Sequence, residues 1–311
     1  MNRLVGIIVA VVGLLILVVS VVKVIPGFRL IGPGVLLLVV GAIVIGLSFI
    51  KKPDTEGVER MSTPSTLVNI FFAPTDVFNN LRRHPRWLVA VLIMVILSTI
   101  YTNLFVQRLT IERIANHTID KTLEMSMIAN NEQARKQVES GRAQAIEDAK
   151  NPVNRAGQSI SSFGGIMILN CVLAGLFLLF SLAMGGKMNF WQAFSAAVYA
   201  AFPVAVIRSV LNTILLYLKD PADIHPILGQ SSLIQDNLSF LVAPSEHPVL
   251  FTLLASLSLL WFYWIWLNAT GLKNAGERVS GATAWTATLT VYGIIVLFGL
   301  VLSFLFPSFM S

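Results

Sequence analysis

Arg208 is the residue of this chain that most needs a chemical explanation. It lies inside a long apolar run, 190–218, that also holds Tyr199, Pro203 and Asn212. A cation at the centre of a membrane helix costs ~2.5–3.5 kcal/mol on insertion scales. Such a charge must meet a polar partner or reach water. Pro203 lacks a backbone donor and bends its helix. Tyr199 stands four residues earlier, on the same helix face, where its hydroxyl can meet the carbonyls left free. Two uses fit these residues. In one they are structural: Arg208 bonds to backbone carbonyls, to Asn212 or to an interfacial phosphate, and Pro203 makes a static kink. In the other, Tyr199, Arg208 and Asn212 line a path for a small solute, ion or lipid, and Pro203 is its hinge. No acidic residue lies in an apolar run, so a buried ion pair is not expected.

Other reactive spacings are few. The sequence has no His-Glu-x-x-His for zinc, no Walker-type phosphate loop and no Gly-x-Ser-x-Gly elbow. Ser20-Val-Val-Lys23 matches Ser-x-x-Lys at the end of an apolar run, and is read as chance. Gly185-Gly186-Lys187 is read as a turn. Asp223, His225, Asp236, Glu246 and His247 crowd one polar stretch, but no spacing among them sets a ligand geometry, and the stretch is read as a solvated loop. Cys171 is the one cysteine, so no internal disulfide can form. No catalytic residue, cofactor or metal is expected.

The elements that carry these residues follow from composition. The chain has 311 residues, 55% hydrophobic and 12% charged, with a mean hydropathy of +0.76. Globular domains average about 25% charged residues. Half that charge excludes an ordinary soluble enzyme, and the high apolar content excludes disorder. Crossing ~30 Å of hydrocarbon takes ~20 apolar residues in a helix. Seven runs approach that length: 4–25, 30–50, 87–106, 160–184, 190–218, 248–272 and 284–306. The fold class is therefore all-α, a polytopic membrane protein of about seven transmembrane helices.

The first two runs form an N-terminal hairpin, 1–50, closed by Pro26-Gly27 and ended by Lys51-Lys52-Pro53. It reads as a retained anchor rather than a cleaved signal peptide, because its first run is long for a signal and a second run follows at once. A polar linker, 51–65, separates it from the main domain, 66–311. That domain opens on a short amphipathic segment, 66–86. Phe71, Phe72 and Phe78 are apolar members, Thr75 is the expected helix cap, and Arg82, Arg83, Arg86 and Trp87 follow. Cations beside an indole suit the headgroup level of a membrane. Thr75 aside, these seven residues form the candidate lipid interface. Between 107 and 158 the chain is polar, with eight basic and seven acidic residues, and predicts one or two soluble helices. Small residues spaced for close helix packing recur at Ala42 and Gly46, Ala193 and Ala197, Ala196 and Ala200, and Gly299 and Ser303.

The net charge is +6 and the pI about 9.6. The basic residues flank apolar runs, so they are read as topology signals and contacts to anionic headgroups, not as a nucleic-acid surface. With the long polar excursion set aside, Lys and Arg number ten on the N-terminal side and three on the other. The positive-inside rule then predicts a cytosolic N-terminus and a C-terminus outside.

From Leu67 onward the chain resembles the YIP family (Ypt/Rab-interacting proteins), in particular its bacterial branch. The resemblance rests on Asn69-Ile-Phe-Phe-Ala-Pro-Thr-Asp-Val-Phe78, on Arg83-His-Pro-Arg-Trp87 and on Tyr199-Ala-Ala-Phe-Pro203. It also rests on the layout: an interfacial helix, five spans, and a polar excursion after the first. The resemblance implies a five-helix membrane bundle, a cytosolic N-terminal side, no catalytic centre and, for a bacterial member, the cytoplasmic membrane. Eukaryotic members associate with prenylated Rab GTPases through a long cytosolic N-terminal region. Here a hairpin stands in its place, which argues against a Rab-type GTPase partner. The expected role is a non-enzymatic scaffold or adaptor in membrane organisation or trafficking, with the bilayer as its partner and any protein partner unknown.

Overall fold

The structure, a computed structural model, describes residues 2–22, 30–50 and 57–307, the side chain of Ser126 aside. The Pro26-Gly27 turn, Lys23, and the Lys51-Lys52-Pro53 stop lie outside the described residues. No strand occurs among the described residues. In chain order the helices are α1 (Asn2–Val22), α2 (Ile31–Leu47), α3 (Thr63–Phe72), α4 (Pro74–Arg83) and α5 (Leu88–Leu109). The polar excursion holds α6 (Ile111–Glu124), α7 (Ser126–Ala129), α8 (Glu132–Ser140) and α9 (Arg142–Lys150). Then follow α10 (Pro152–Ala183), α11 (Phe190–Leu218), α12 (Leu228–Ser231), α13 (Pro248–Ser256), α14 (Leu259–Ala275) and α15 (Gly281–Leu305).

The protein is an all-α polytopic membrane protein. Helices α1, α5, α10, α11 and α15 are long and apolar enough to span, and α13 with α14 makes a sixth span if the bent pair is one. The pair is bent by 50° at a short break. Helix α2 is apolar but has 17 residues, about 25 Å of rise, so the structure supports five or six spans where seven are expected. The excursion breaks into four helices rather than one or two. Helix α10 begins at Pro152, eight residues before the expected span, because a proline in the first turn needs no donor.

The chain divides into two compact units. One comprises Met1–Ile96, Ala156–Ala205 and Trp264–Val291; the other comprises Leu97–Arg155, Val206–Tyr263 and Tyr292–Ser311. The first unit contains the α1–α2 hairpin, whose backbones meet. A Cβ built on Gly41 would lie 2.6 Å from the Ala10 nitrogen, and one on Gly13 would lie 2.7 Å from the Leu38 nitrogen. Without glycine at these crossings the helices could not approach so closely. Ala42 is exposed and a Cβ on Gly46 would meet nothing, so the small pair expected there does not make this contact. The alanines of α11 behave as expected: Ala193, Ala196, Ala197 and Ala200 are all buried.

The second unit has its own core of Tyr101, Phe105, Leu109, Leu216, Ile224 and Leu233. Two of these, Ile224 and Leu233, come from the polar stretch after α11. That stretch is therefore not a solvated loop throughout: it folds back and covers a hydrophobic cluster.

Candidate functional site

In the first unit the interfacial segment is tied down by one arginine. Ser62 caps α3, its hydroxyl oxygen accepting the Ser65 N–H at 3.2 Å. Helix α4 starts at Pro74, which lacks the donor a cap would satisfy, so Thr75 lies inside the helix and is not its cap. Arg86, at 5% exposure, turns inward. Its guanidinium donates to the Met61 carbonyl at 2.5 Å and to Asn80 Oδ1 at 3.0 Å. Asn80 Oδ1 also accepts the Met61 N–H, and its Nδ2 donates to the Glu59 carbonyl at 2.8 Å. His84 Nε2 meets the Val58 carbonyl at 2.8 Å. These bonds pin residues 58–61 against the end of α4. Burial holds the Arg86 guanidinium below its ordinary pKa; the Tyr199 oxygen opposes this and Arg60 adds to it.

The seven lipid-interface residues thus do not act together. Arg86, Trp87 and Phe78 are buried. Trp87 packs edge-on against Phe194 with ring centroids 5.5 Å apart, and Phe78 lies against Gly271, where an added Cβ would sit 3.0 Å from its ring. Phe71 is half-buried and meets Phe202 edge-on. Phe72, at 82%, and Val68, at 56%, are exposed one turn apart on α3. Arg82 and Arg83 are half-buried in the last turn of α4, where cations suit the helix dipole. The Arg82 carbonyl accepts from Gln192 Nε2 at 2.9 Å. Arg83 and Lys187 both approach Glu277, at 4.0 and 3.6 Å.

Of the four bundle-core residues, Tyr199 and Pro203 belong to the first unit, and Arg208 and Asn212 to the second. Helix α11 runs unbroken through Pro203. Tyr199 is buried and interacts electrostatically with Arg86. Asn212, at 2% exposure, accepts the Leu233 N–H at 2.9 Å. It thereby holds the returning polar stretch.

A carboxylate from outside the apolar runs, Asp236 of the polar stretch, acts on Arg208 electrostatically. The same Asp236 caps α14 at the break. Its Oδ2 accepts the Ser258 hydroxyl at 2.6 Å and the Leu260 N–H at 2.9 Å, and its carbonyl accepts the Leu259 N–H at 3.2 Å. Ser258 Oγ adds a bond from the Trp261 N–H at 3.3 Å. The Nε of Arg208 is buried without a hydrogen-bond partner among the described residues. Ser258 before an apolar run was the one sequence signal for this cap. Nothing in the sequence marked Asp236 as its partner.

Residues 68–303 match the Yip1 domain. The chain belongs to the Yip1 family. The match starts inside α3 and ends inside α15, so it includes every candidate residue named above and leaves the α1–α2 hairpin outside. No curated protein and no solved structure matches the chain. As a Yip1 family member it is an integral, multi-pass membrane protein with a lipid bilayer as its surroundings.

Proposed function

We propose that this Yip1 family protein is a non-enzymatic scaffold or adaptor in membrane organisation or trafficking. In this reading it sits in a bacterial cytoplasmic membrane, N-terminus in the cytosol and C-terminus outside. The observation that carries it is Phe72, 82% exposed on a helix whose neighbours are held by hydrogen bonds. The Arg86–Asn80–Met61 network holds residues 58–61 and the end of α4, and that leaves Phe72 and Val68 presented at its surface. Arg82 and Arg83 supply positive charge on the same segment for anionic headgroups. Arg86 is spent inside and takes no part in this surface.

The test uses the full chain in vesicles of zwitterionic lipid with a minor anionic component. Arg82→Glu/Arg83→Glu should reduce the anionic lipid retained on the purified protein, while Arg86 and its bonds remain. Equal retention by variant and parent removes the headgroup role.

A second reading, a transporter of a small solute, ion or lipid using Arg208, Tyr199 and Asn212, draws on the broken α13–α14 pair. Discontinuous helices line substrate sites in many transporters. Flux in reconstituted vesicles that falls with Arg208→Leu would replace the scaffold reading with this one. Flux equal to that of protein-free vesicles would retire it.

A further inference from the structure

The second unit holds two histidines face to edge. His117 lies on α6 and His225 in the stretch between α11 and α12; their ring centroids are 4.9 Å apart with planes at 86°. Around them the two elements are joined by Arg113, one turn before His117. Its guanidinium donates to the carbonyls of Pro221, of Ala222 at 3.2 Å and of Ile224 at 3.1 Å. His225 also organises its own segment. Its Nδ1 accepts the N–H groups of Ile227 and Leu228, each at 3.1 Å, at the start of α12. A ring nitrogen that accepts two hydrogen bonds carries no proton, so the geometry assigns the proton of neutral His225 to Nε2. That tautomer leaves no lone pair on His225 Nε2 for a metal. Just beyond, Tyr101 donates to the Gly229 carbonyl at 2.5 Å, and Ile224 and Leu233 close over Tyr101, Phe105 and Leu216.

We infer that the His117–His225 pair is an acid-sensitive latch. Unprotonated, it holds residues 219–233 over the Tyr101–Leu216 cluster; protonated, it lets that segment go. A proton on His225 Nδ1 turns an acceptor of two backbone bonds into a donor facing two donors. A proton on each ring places two imidazolium ions in contact, beside Arg113.

The charges facing the pair agree with this. On α6, Arg113 and Lys121 disfavour a proton on His117, while Asp120 and Glu124 favour one. Both acids are already engaged, Asp120 with Arg142 of α9 at 2.7 Å and Glu124 with Lys121 at 3.0 Å. Lys150 of α9 pairs with Glu112 at 2.6 Å. On the returning stretch Asp223 is exposed, and Asp220 accepts the Ala222 N–H. Burial, the largest cause, holds the His117 imidazole below its ordinary value of 6.5. The open form therefore binds a proton more tightly than the closed form. The latch is complete above about pH 6.5 and weakens as pH falls below it.

The experiment is hydrogen exchange on the full chain in lipid nanodiscs at about pH 7.5 and about pH 5.5, corrected for the intrinsic pH dependence of exchange. Peptides covering 225–233 should exchange about tenfold faster at the lower pH, the effect of roughly one pH unit of linkage. His225→Asn keeps an acceptor that does not titrate and should abolish most of the step. His117→Phe keeps the ring contact without a charge and should shrink it. Equal corrected rates in the parent at both pH values overturn the latch. So does a full step that survives in the His117→Phe/His225→Asn protein. If His225→Asn alone fails to fold, His117→Phe still decides.

Discussion

Two arginines, one in each compact unit, carry charge away from water by different means. Arg86 is met by neutral oxygens: the Met61 carbonyl and the Asn80 side chain, both supplied by residues within 25 positions in the chain. Arg208 feels the charge of a carboxylate, Asp236, in a loop that the sequence places outside the bilayer. The first arrangement is a knot of hydrogen bonds, in which Arg86 Nε, like Arg208 Nε, stays buried without a partner among the described residues. The second joins a cation, a helix cap and a helix break through one acid. The difference teaches what each arginine is for. Arg86 shapes the segment that presents Phe72, whereas Arg208 is tied to the element that interrupts a span.

The largest expected effect tests the knot. Arg86→Ala leaves the Met61 carbonyl without its donor and takes one of two donors from Asn80 Oδ1, which keeps the Met61 N–H; each lost partner costs ~1–3 kcal/mol. We expect a loss of about 3 kcal/mol in denaturant unfolding of the detergent-solubilised protein, and faster proteolysis near residues 58–61. An unfolding curve that overlays the parent would break the comparison, because Arg86 would then hold nothing.

Next is Asp236→Ala, which removes the α14 cap and the charge beside Arg208 together. It should cost about 2 kcal/mol. Asp236→Asn keeps an acceptor for the Leu260 N–H and should cost less. Combined with Arg208→Leu in a double-mutant cycle, it should show a coupling of about 1 kcal/mol. Additive effects would mean that the two residues act separately.

Asn212→Leu frees the Leu233 N–H in a buried site. We expect a loss of about 1 kcal/mol and increased exchange confined to residues near 233. Smallest is Phe72→Ser. At this exposure stability should change by no more than ~0.5 kcal/mol, while contact with a spin-labelled lipid should fall. A large loss of stability would mean that Phe72 is packed rather than presented.

Much of the fold was legible because hydropathy is a local property. The runs 87–106 and 190–218 correspond closely to α5 and α11, and the Phe-Phe-x-Pro and Pro-Arg-Trp elements pointed to the family that the domain match bears out. Helix faces were less legible. Arg82, Arg83 and Arg86 look alike in a line of text, but Arg86 falls past the end of α4, where the backbone turns and aims it at Asn80. The bend between α13 and α14 was invisible for another reason. Residues 248–272 read as one uninterrupted apolar run, and the interruption is stabilised by a residue more than 20 positions away.

By itself the sequence determined that this protein is a helical, multi-pass membrane protein, because burying ~20 apolar residues in lipid requires no partner elsewhere in the chain. Only the tertiary structure decided which polar groups meet: Arg86 with Met61, Asn212 with Leu233, His117 with His225. Each pairing depends on where distant segments return. Hydrogen bonds and charges act over a few ångströms, and sequence spacing alone does not specify such distances.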